Sequence, residues 1–335
     1  MITVENATKT FWTDSGQVVA IDDVSIDLAP GAITSIVGPS GSGKSTLARL
    51  VSLQERPDSG VVRVEGYNTA SLDQRRLRAA RRRIGVVGHE ELLPQRTAAG
   101  NIAMPLEQAG IDGPQRRERV GKLLDLIGLT ARGNALPADL TAGQRARVQI
   151  ARALVGDPGL LLADDPTHGL DGDGAAGVLA VLDRARGELG STVLVTTSDS
   201  TVARRIADDV ALLVDGRVAD SGSVLSLIQD PTSLVADALL PAIDTPDSLR
   251  ARHDRIAEVV LIGFSAVGAL LPEASGRFGT DVSVIGGGLT RVGETPVARF
   301  LLGVSGPQAE STLSWIRERG GVVKRPVRGP EGIAA

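Results

Sequence analysis

Ala32-Ile33-Thr34-Ser35-Ile36-Val37 runs directly into Gly38-Pro39-Ser40-Gly41-Ser42-Gly43-Lys44-Ser45-Thr46 and then into Leu47-Ala48-Arg49-Leu50-Val51. The apolar run reads as a buried strand. The last segment carries its apolar residues at helical spacing. Between them stands a complete G-x-x-x-x-G-K-[ST] loop in the strand–loop–helix context that this motif requires. Gly38, Gly41 and Gly43 let the backbone turn its N–H groups inward on an anion. The helix that follows adds its own unpaired N–H groups and the positive end of its dipole. Lys44 is expected to reach the outer phosphates of a nucleotide, and the Ser45 hydroxyl to ligate Mg²⁺. The competing reading is a glycine-rich strand–helix turn that binds nothing; the full motif with both flanks argues against it.

A chain of 335 residues with 42% hydrophobic content has room for two ordinary domains. A formal charge of −4 and 2% aromatic residues give no reason to expect nucleic acid. Cysteine is absent, so no disulfide or thiol chemistry is available, which fits a reducing compartment. Met1-Ile-Thr-Val-Glu5 carries no basic-then-apolar leader pattern, so no signal peptide is expected. The longest apolar stretch, near Val259–Leu271, is too short to span a bilayer, so a membrane role would run through a partner. Lysine occurs only at positions 9, 44, 122 and 324, which makes the one inside the glycine loop conspicuous.

Residues 1–30 alternate as two or three strands of an antiparallel edge. Phe11-Trp12 falls in this edge, where an aromatic either stacks on a base or packs as a partly buried edge residue; the residues alone leave both open. A basic helix is expected over Asp73–Arg83, and its six arginines read as a solvated face rather than a docking site. Ile84–Val87 is a strand that ends at Gly88-His89, and residues 97–133 are mostly helical with a break at Gly110–Gly113. Leu140-Thr-Ala-Gly-Gln144 opens an amphipathic helix over Arg145–Leu154 and forms a second, weaker candidate anion site. Leu160-Leu-Leu-Ala-Asp164-Asp165 is an apolar strand ending in two carboxylates. After a phosphate loop, one carboxylate is expected to hold Mg²⁺ and the next to orient the attacking water. Further buried strands at Thr192–Thr197 and Val210–Val214 indicate a parallel α/β sheet, with its ligand at the strands' carboxyl ends.

In this order the motifs resemble the ATP-binding subunits of ABC transporters across residues 1–230. Glu55-Arg-Pro-Asp-Ser-Gly60 and Asn101-Ile-Ala-Met-Pro-Leu-Glu107 are similar to the methionine-importer ATPases. The resemblance implies a homodimer with ATP between Gly38–Thr46 of one subunit and Thr141–Gln144 of the other. The nucleotide contacts it implies are Phe11 on the adenine, then Gly38, Ser40, Gly41, Gly43, Lys44, Ser45 and Thr46, with Thr141, Gly143 and Gln144 from across the dimer. Ser45 and Asp164 match the Mg²⁺ ligands, Asp165 and His89 the residues acting on the attacking water, and Asp171 the dimer-contact turn. It also implies integral-membrane permease subunits as partners, contacted around Glu90–Gln95, and indirectly a substrate-binding protein. The site of action would be the cytoplasmic face of the cell membrane, held peripherally.

Five residues in four motifs depart from the family pattern. His89 stands where the family has Gln, Thr141-Ala142 where its signature has Ser-Gly, Asp165 where it has the catalytic Glu, and Thr197 where it has the switch His. Asp165 is shorter by one methylene, roughly 1.5 Å. Misplacing a water-orienting group that far costs about 10²-fold or more. ATP binding with slowed hydrolysis is therefore the expectation, the alternative being a nucleotide-binding regulator with little turnover. His168, in the turn after the carboxylates, is a candidate to compensate for the missing switch His.

Beyond a helix-containing linker at 231–254, rich in Asp, Pro and Ser, residues 255–330 read as β-α-β-β-α-β, a ferredoxin-like domain. Strands are expected at Ala257–Phe264, Asp281–Ile285, Arg291–Gly293, Ala298–Val304 and Gly321–Lys324, helices at Val267–Phe278 and Pro307–Arg319, and a turn at Gly286–Gly288. This pattern resembles the ligand-sensing domain of the methionine-importer ATPases, which pairs and binds methionine to inhibit transport. Ser283 stands where that family tends to carry Asn, and a dimerisation module without ligand is the alternative. The fold class expected is thus α/β, a P-loop NTPase domain of the ABC type with an antiparallel β edge, followed by a small α+β domain.

Overall fold

A computed structural model describes residues 2–14, 16–88, 90–243 and 252–324. The chain divides into two compact units after Ser221. The first opens with two long antiparallel strands, β1 (Ile2–Thr13) and β2 (Gly16–Asp27). After β3 (Ile33–Val37) and α1 (Lys44–Val51), β4 (Ser59–Val64) and β5 (Tyr67–Asn68) return to this edge and complete a sheet of order β2-β1-β4-β5. The alternation of residues 1–30 produces this sheet: Ile2, Val4, Ile21 and Val24 point into one core with Leu47, Leu50 and Val51 of α1.

The second sheet supplies the site. Helix α2 (Gln74–Arg82) leads to β6 (Ile84–Val87), and α3 (Ala98–Gln108), α4 (Gly113–Leu126) and α5 (Ala142–Leu154) follow. Then come β7 (Leu160–Asp164), α6 (Gly172–Leu189), β8 (Thr192–Thr197), α7 (Ser200–Ile206), β9 (Asp209–Val214) and β10 (Arg217–Ser223). The strand order is β10-β9-β3-β8-β7-β6, and the pairs β9–β3, β3–β8, β8–β7 and β7–β6 are parallel. All five residues of β3 are buried, as a central parallel strand requires. Successive residues of β7 face opposite cores. Leu161 and Ala163 pack with α3 to α6, while Leu160 and Leu162 pack with α1 and the antiparallel sheet.

This register brings distant sequence together. Val37 lies level with Thr197, and Asp164 with Thr196. The glycine loop after β3 and the carboxylates after β7 therefore emerge at one edge of the sheet, with the end of β8 between them.

The second unit holds α8 (Val224–Gln229), α9 (Leu234–Leu239), β11 (Arg255–Ile262), α10 (Phe264–Val267), α11 (Leu270–Phe278), β12 (Asp281–Val292), β13 (Thr295–Ser305), α12 (Ala309–Glu318) and β14 (Val322–Val323). Its antiparallel sheet has the order β12-β13-β11-β14. That is the ferredoxin-like arrangement, with α11 and α12 sharing a core with β11 and β13. Two details differ from the sequence reading. Gly286–Gly288 is no turn: β12 runs through it, with a bulge between Val284 and Gly286 and the reversal postponed to Gly293-Glu294. Gly287 adopts a φ of 93° so close to β13 that a Cβ would stand 2.0 Å from the Arg299 carbonyl oxygen. Gly287 thus serves close strand approach, which composition alone does not distinguish from a turn. The helix expected over Val267–Phe278 begins only at Leu270, and the strand expected to reach Phe264 ends at Ile262, with the short α10 between them.

The stretch read as a linker contributes α9, whose Asp237 meets Arg299 Nη2 at 2.8 Å and Lys324 Nζ at 2.6 Å. Glu258 of β11 holds the same two cations at 2.8 and 3.5 Å. Arg299 is 8% exposed, so its charge is buried yet doubly paired.

Candidate nucleotide site

The glycine loop is shaped by contacts that glycine alone permits. Gly43 caps α1 with a φ of 103°, and a Cβ there would lie 2.3 Å from the Ala20 carbonyl oxygen of β2. At Gly38 a Cβ would lie 2.2 Å from the Leu213 carbonyl oxygen. The loop is thus pressed between the antiparallel edge and β9, which holds its backbone before any ligand arrives. Lys44 Nζ donates to the carbonyls of Gly38 and Pro39, both at 2.8 Å, and so lies across the loop. Burial pushes its ammonium below the usual lysine range, against the opposing pull of Asp165 and Asp164. Ser40, Gly41 and Ser45 are exposed at the loop surface, and Thr46 is half-buried.

At the end of β7, Asp164 accepts a hydrogen bond from Thr196 Oγ1. Asp165 N–H donates to the Thr196 carbonyl at 2.8 Å, and Asp165 takes a left-handed φ of 48°. Its Oδ1 accepts from Thr197 Oγ1 at 3.3 Å, and its Oδ2 lies 3.6 Å from His168 Nδ1. Asp164, Asp165, Pro166 and His168 line a cleft of about 220 Å³ with Val87, Gly88 and the start of α5. His89, expected beside them, lies outside the described residues.

Phe11 is half-buried in β1, paired with Val18, with Lys9 Nζ 5.5 Å from its ring centroid. Trp12 is 81% exposed. The candidate second anion site forms a capping box: Thr141 Oγ1 accepts from Gln144 N–H at 3.2 Å, and Gln144 Oε1 accepts from Thr141 N–H at 2.9 Å. Within one subunit these two side chains are thus engaged with each other. Gly143 is buried and Ala142 is exposed at the rim of the cleft. Asp171 caps α6 through the Gly174 N–H at 2.7 Å.

Sequence reasoning passed over Thr196 and the groups that fix the segment after β6. Gln149 Nε2 donates to the Glu90 carbonyl at 2.7 Å, and Arg152 Nη1 to that of Glu91 at 3.2 Å. A polar Thr-Thr pair closing a buried apolar strand was the available signal for Thr196. Nothing local marks Gln149 and Arg152, whose targets lie about 60 residues away.

The residues suit a nucleoside triphosphate with Mg²⁺. The loop offers backbone donors and a cation, while the Ser45 hydroxyl and the Asp164 carboxylate supply the few oxygen ligands that Mg²⁺ takes from protein alongside phosphates.

A parallel sheet with this loop after β3, a carboxylate pair after β7 and an antiparallel edge folded over the loop defines the ATP-binding domain of an ABC transporter. The ABC transporter family model matches residues 21–168, and the NIL domain model matches 255–325. A methionine import ATP-binding protein of Thermobifida fusca is 38% identical over 97% of this chain and 99% of its own length. One of Streptomyces avermitilis is 37% identical over 96% of this chain and 94% of its own. Among solved structures, a dimeric ATP-binding cassette in a post-hydrolysis state with ADP and Pi superposes with a TM-score of 0.61 at 34% identity. It covers 67% of this chain and 99% of that one. The chain belongs to the family of methionine import ATP-binding proteins, with an ABC-type ATP-binding domain and a C-terminal NIL domain.

Proposed function

We propose that the protein is the ATP-hydrolysing subunit of a methionine importer. The observation that carries this reading is Lys44 lying across a glycine loop that emerges at the same end of the sheet as Asp164 and Asp165. The loop's N–H groups and Lys44 bind and orient the phosphates, and Ser45 and Asp164 hold Mg²⁺, which when bound neutralises charge developing on the phosphate oxygens. Asp165 orients the attacking water. Phe11 carries the adenine. Thr141, Gly143 and Gln144 of a second copy close over the nucleotide, and in doing so Thr141 and Gln144 exchange their capping partners for phosphate.

In this reading closure of the homodimer drives integral-membrane permease subunits, which a substrate-binding protein feeds. The subunit sits peripherally on the cytoplasmic face of the membrane; among the described residues no helix is long and apolar enough to cross it. The segment from Glu90 to Gln95, fixed by Gln149 and Arg152, is the surface offered to the permease. The NIL domain senses methionine and inhibits transport.

Turnover by the protein with its permease, compared with a Lys44→Ala variant, tests the reading: hydrolysis no faster than the variant's overturns it. Titration calorimetry of the full chain with methionine tests the sensor, and absence of heat at millimolar ligand removes it. A second reading, a nucleotide-binding regulator with little turnover, is favoured by one observation: Asp165 and Thr197 replace the longer carboxylate and the imidazole usual at these positions. Nucleotide binding without hydrolysis in the complete transporter would decide for it.

A further inference from the structure

We propose that Thr197 and His168 together hold the Asp165 carboxylate, making the water-orienting group of this chain a three-residue unit drawn from two strand ends and one turn. The inference rests on the ATP-hydrolysing reading above and specifies how a shortened carboxylate serves it.

Asp165 is fixed first through its backbone, by its N–H bond to Thr196 and by a left-handed φ that Asp tolerates better than most residues. Its two carboxylate oxygens then meet different elements. Oδ1 accepts from Thr197 Oγ1 at 3.3 Å. That hydroxyl in turn accepts from Asp199 N–H at 3.0 Å, and the Thr197 side chain is fully buried. A β-branched side chain so enclosed and so bonded has one rotamer open to it.

Oδ2 faces His168 Nδ1 at 3.6 Å. His168 is tied to the same turn, its N–H donating to the Asp165 carbonyl at 3.1 Å, while its side chain is 77% exposed. The exposed ring is free to close the remaining half ångström or so, and catalytic hydrogen bonds commonly tighten only in the substrate complex. Once His168 closes on Oδ2, the carboxylate is held at both oxygens and does not rotate, and a preorganised group of this kind loses little to reorganisation as the reaction proceeds.

In the step it serves, water attacks the γ-phosphorus and a new P–O bond forms. The bond from the γ-phosphorus to the bridging oxygen breaks, its electron pair leaving with ADP, and the water's proton passes to the Asp165 carboxylate. The products are ADP and inorganic phosphate. Thr197 and His168 are positioning residues, acting through Asp165.

The test is steady-state ATP hydrolysis and nucleotide binding by the full chain. His168→Ala is expected to lower kcat about tenfold, with KM for ATP changed by less than about twofold. His168→Asn, whose amide nitrogen can take the place of Nδ1, restores most of the loss. Thr197→Val acts like His168→Ala, and Thr197→Ser restores. On an Asp165→Asn background neither substitution has a further effect, because residues acting through one group are not additive. Wild-type kcat in His168→Ala, or an undiminished loss on Asp165→Asn, overturns the proposal. His168 is exposed, so its variants carry the test if Thr197→Val fails to fold. Wild-type turnover no faster than Lys44→Ala overturns the hydrolytic reading and the clamp together, whereas normal turnover in the His168 and Thr197 variants overturns the clamp alone.

Discussion

Gly143 and Gly174 meet backbone to backbone: a Cβ on Gly143 would stand 2.7 Å from the Gly174 Cα. The glycine of the signature turn is therefore required inside its own subunit, where the start of α5 packs on the start of α6, before any contact with a nucleotide. Gly143→Ala is expected to destabilise the fold by about 1–3 kcal/mol through overpacking. Thermal denaturation should show the loss in the isolated chain, while nucleotide binding at the Lys44 loop persists below the lowered transition.

Lys44→Ala should behave in the opposite way. Among the described residues Nζ donates to two loop carbonyls, so stability is expected to change little. Binding of ATP should weaken by about tenfold or more, since a charge-assisted contact contributes roughly 1.5–3 kcal/mol. Equilibrium titration with a fluorescent nucleotide separates the two variants.

Adding back the missing methylene tests the catalytic assignment. Asp165→Glu is expected to raise turnover, by up to about 10²-fold if placement alone limits the rate. The left-handed φ of 48° opposes this gain, because Glu tolerates that region less well than Asp. Unchanged turnover in the variant would put the limiting step elsewhere.

Asn101 is fully buried and staples the segment before it. Its Oδ1 accepts from Leu93 N–H at 2.8 Å, and its Nδ2 lies 3.0–3.1 Å from the carbonyl oxygens of Leu93, Arg96 and Thr97. Asn101→Ala leaves these backbone groups without their partner, at about 1–3 kcal/mol for each that stays dry. Amide exchange should rise first across residues 90–97, and coupling of hydrolysis to the permease should fall with it.

Asp209, at the start of β9, titrates above the usual carboxylate range because burial and then the neighbouring Asp208 disfavour its charge. A carboxyl whose folded value is raised favours the folded state when protonated. The resulting penalty is fully present at neutral pH and is relieved as pH falls through the raised value. Asp209→Asn should therefore raise Tm at pH 7 and leave it unchanged under acid conditions below the unfolded carboxyl's range, as thermal denaturation at the two pH values would show.

Much of this protein was legible before folding, because much of its physics is local. The loop Gly38–Thr46 announces a phosphate site through spacing and flanks alone. Period-two alternation marked the antiparallel edge, and an apolar run ending at Asp164-Asp165 marked the carboxylate strand. Each of these signals lies within a few residues of the feature it specifies. The tertiary structure decided what depends on residues far apart in the chain. It levelled Val37 with Thr197 and Asp164 with Thr196, and so brought the carboxylates to the same end of the sheet as the glycine loop. It turned Gly286–Gly288 from an apparent reversal into a strand pressed on Arg299, because a missing Cβ serves a turn and a close approach equally well. It also set Thr197 and His168 on opposite oxygens of Asp165. Strand register across the parallel sheet produces that arrangement, and register is a property of the folded chain.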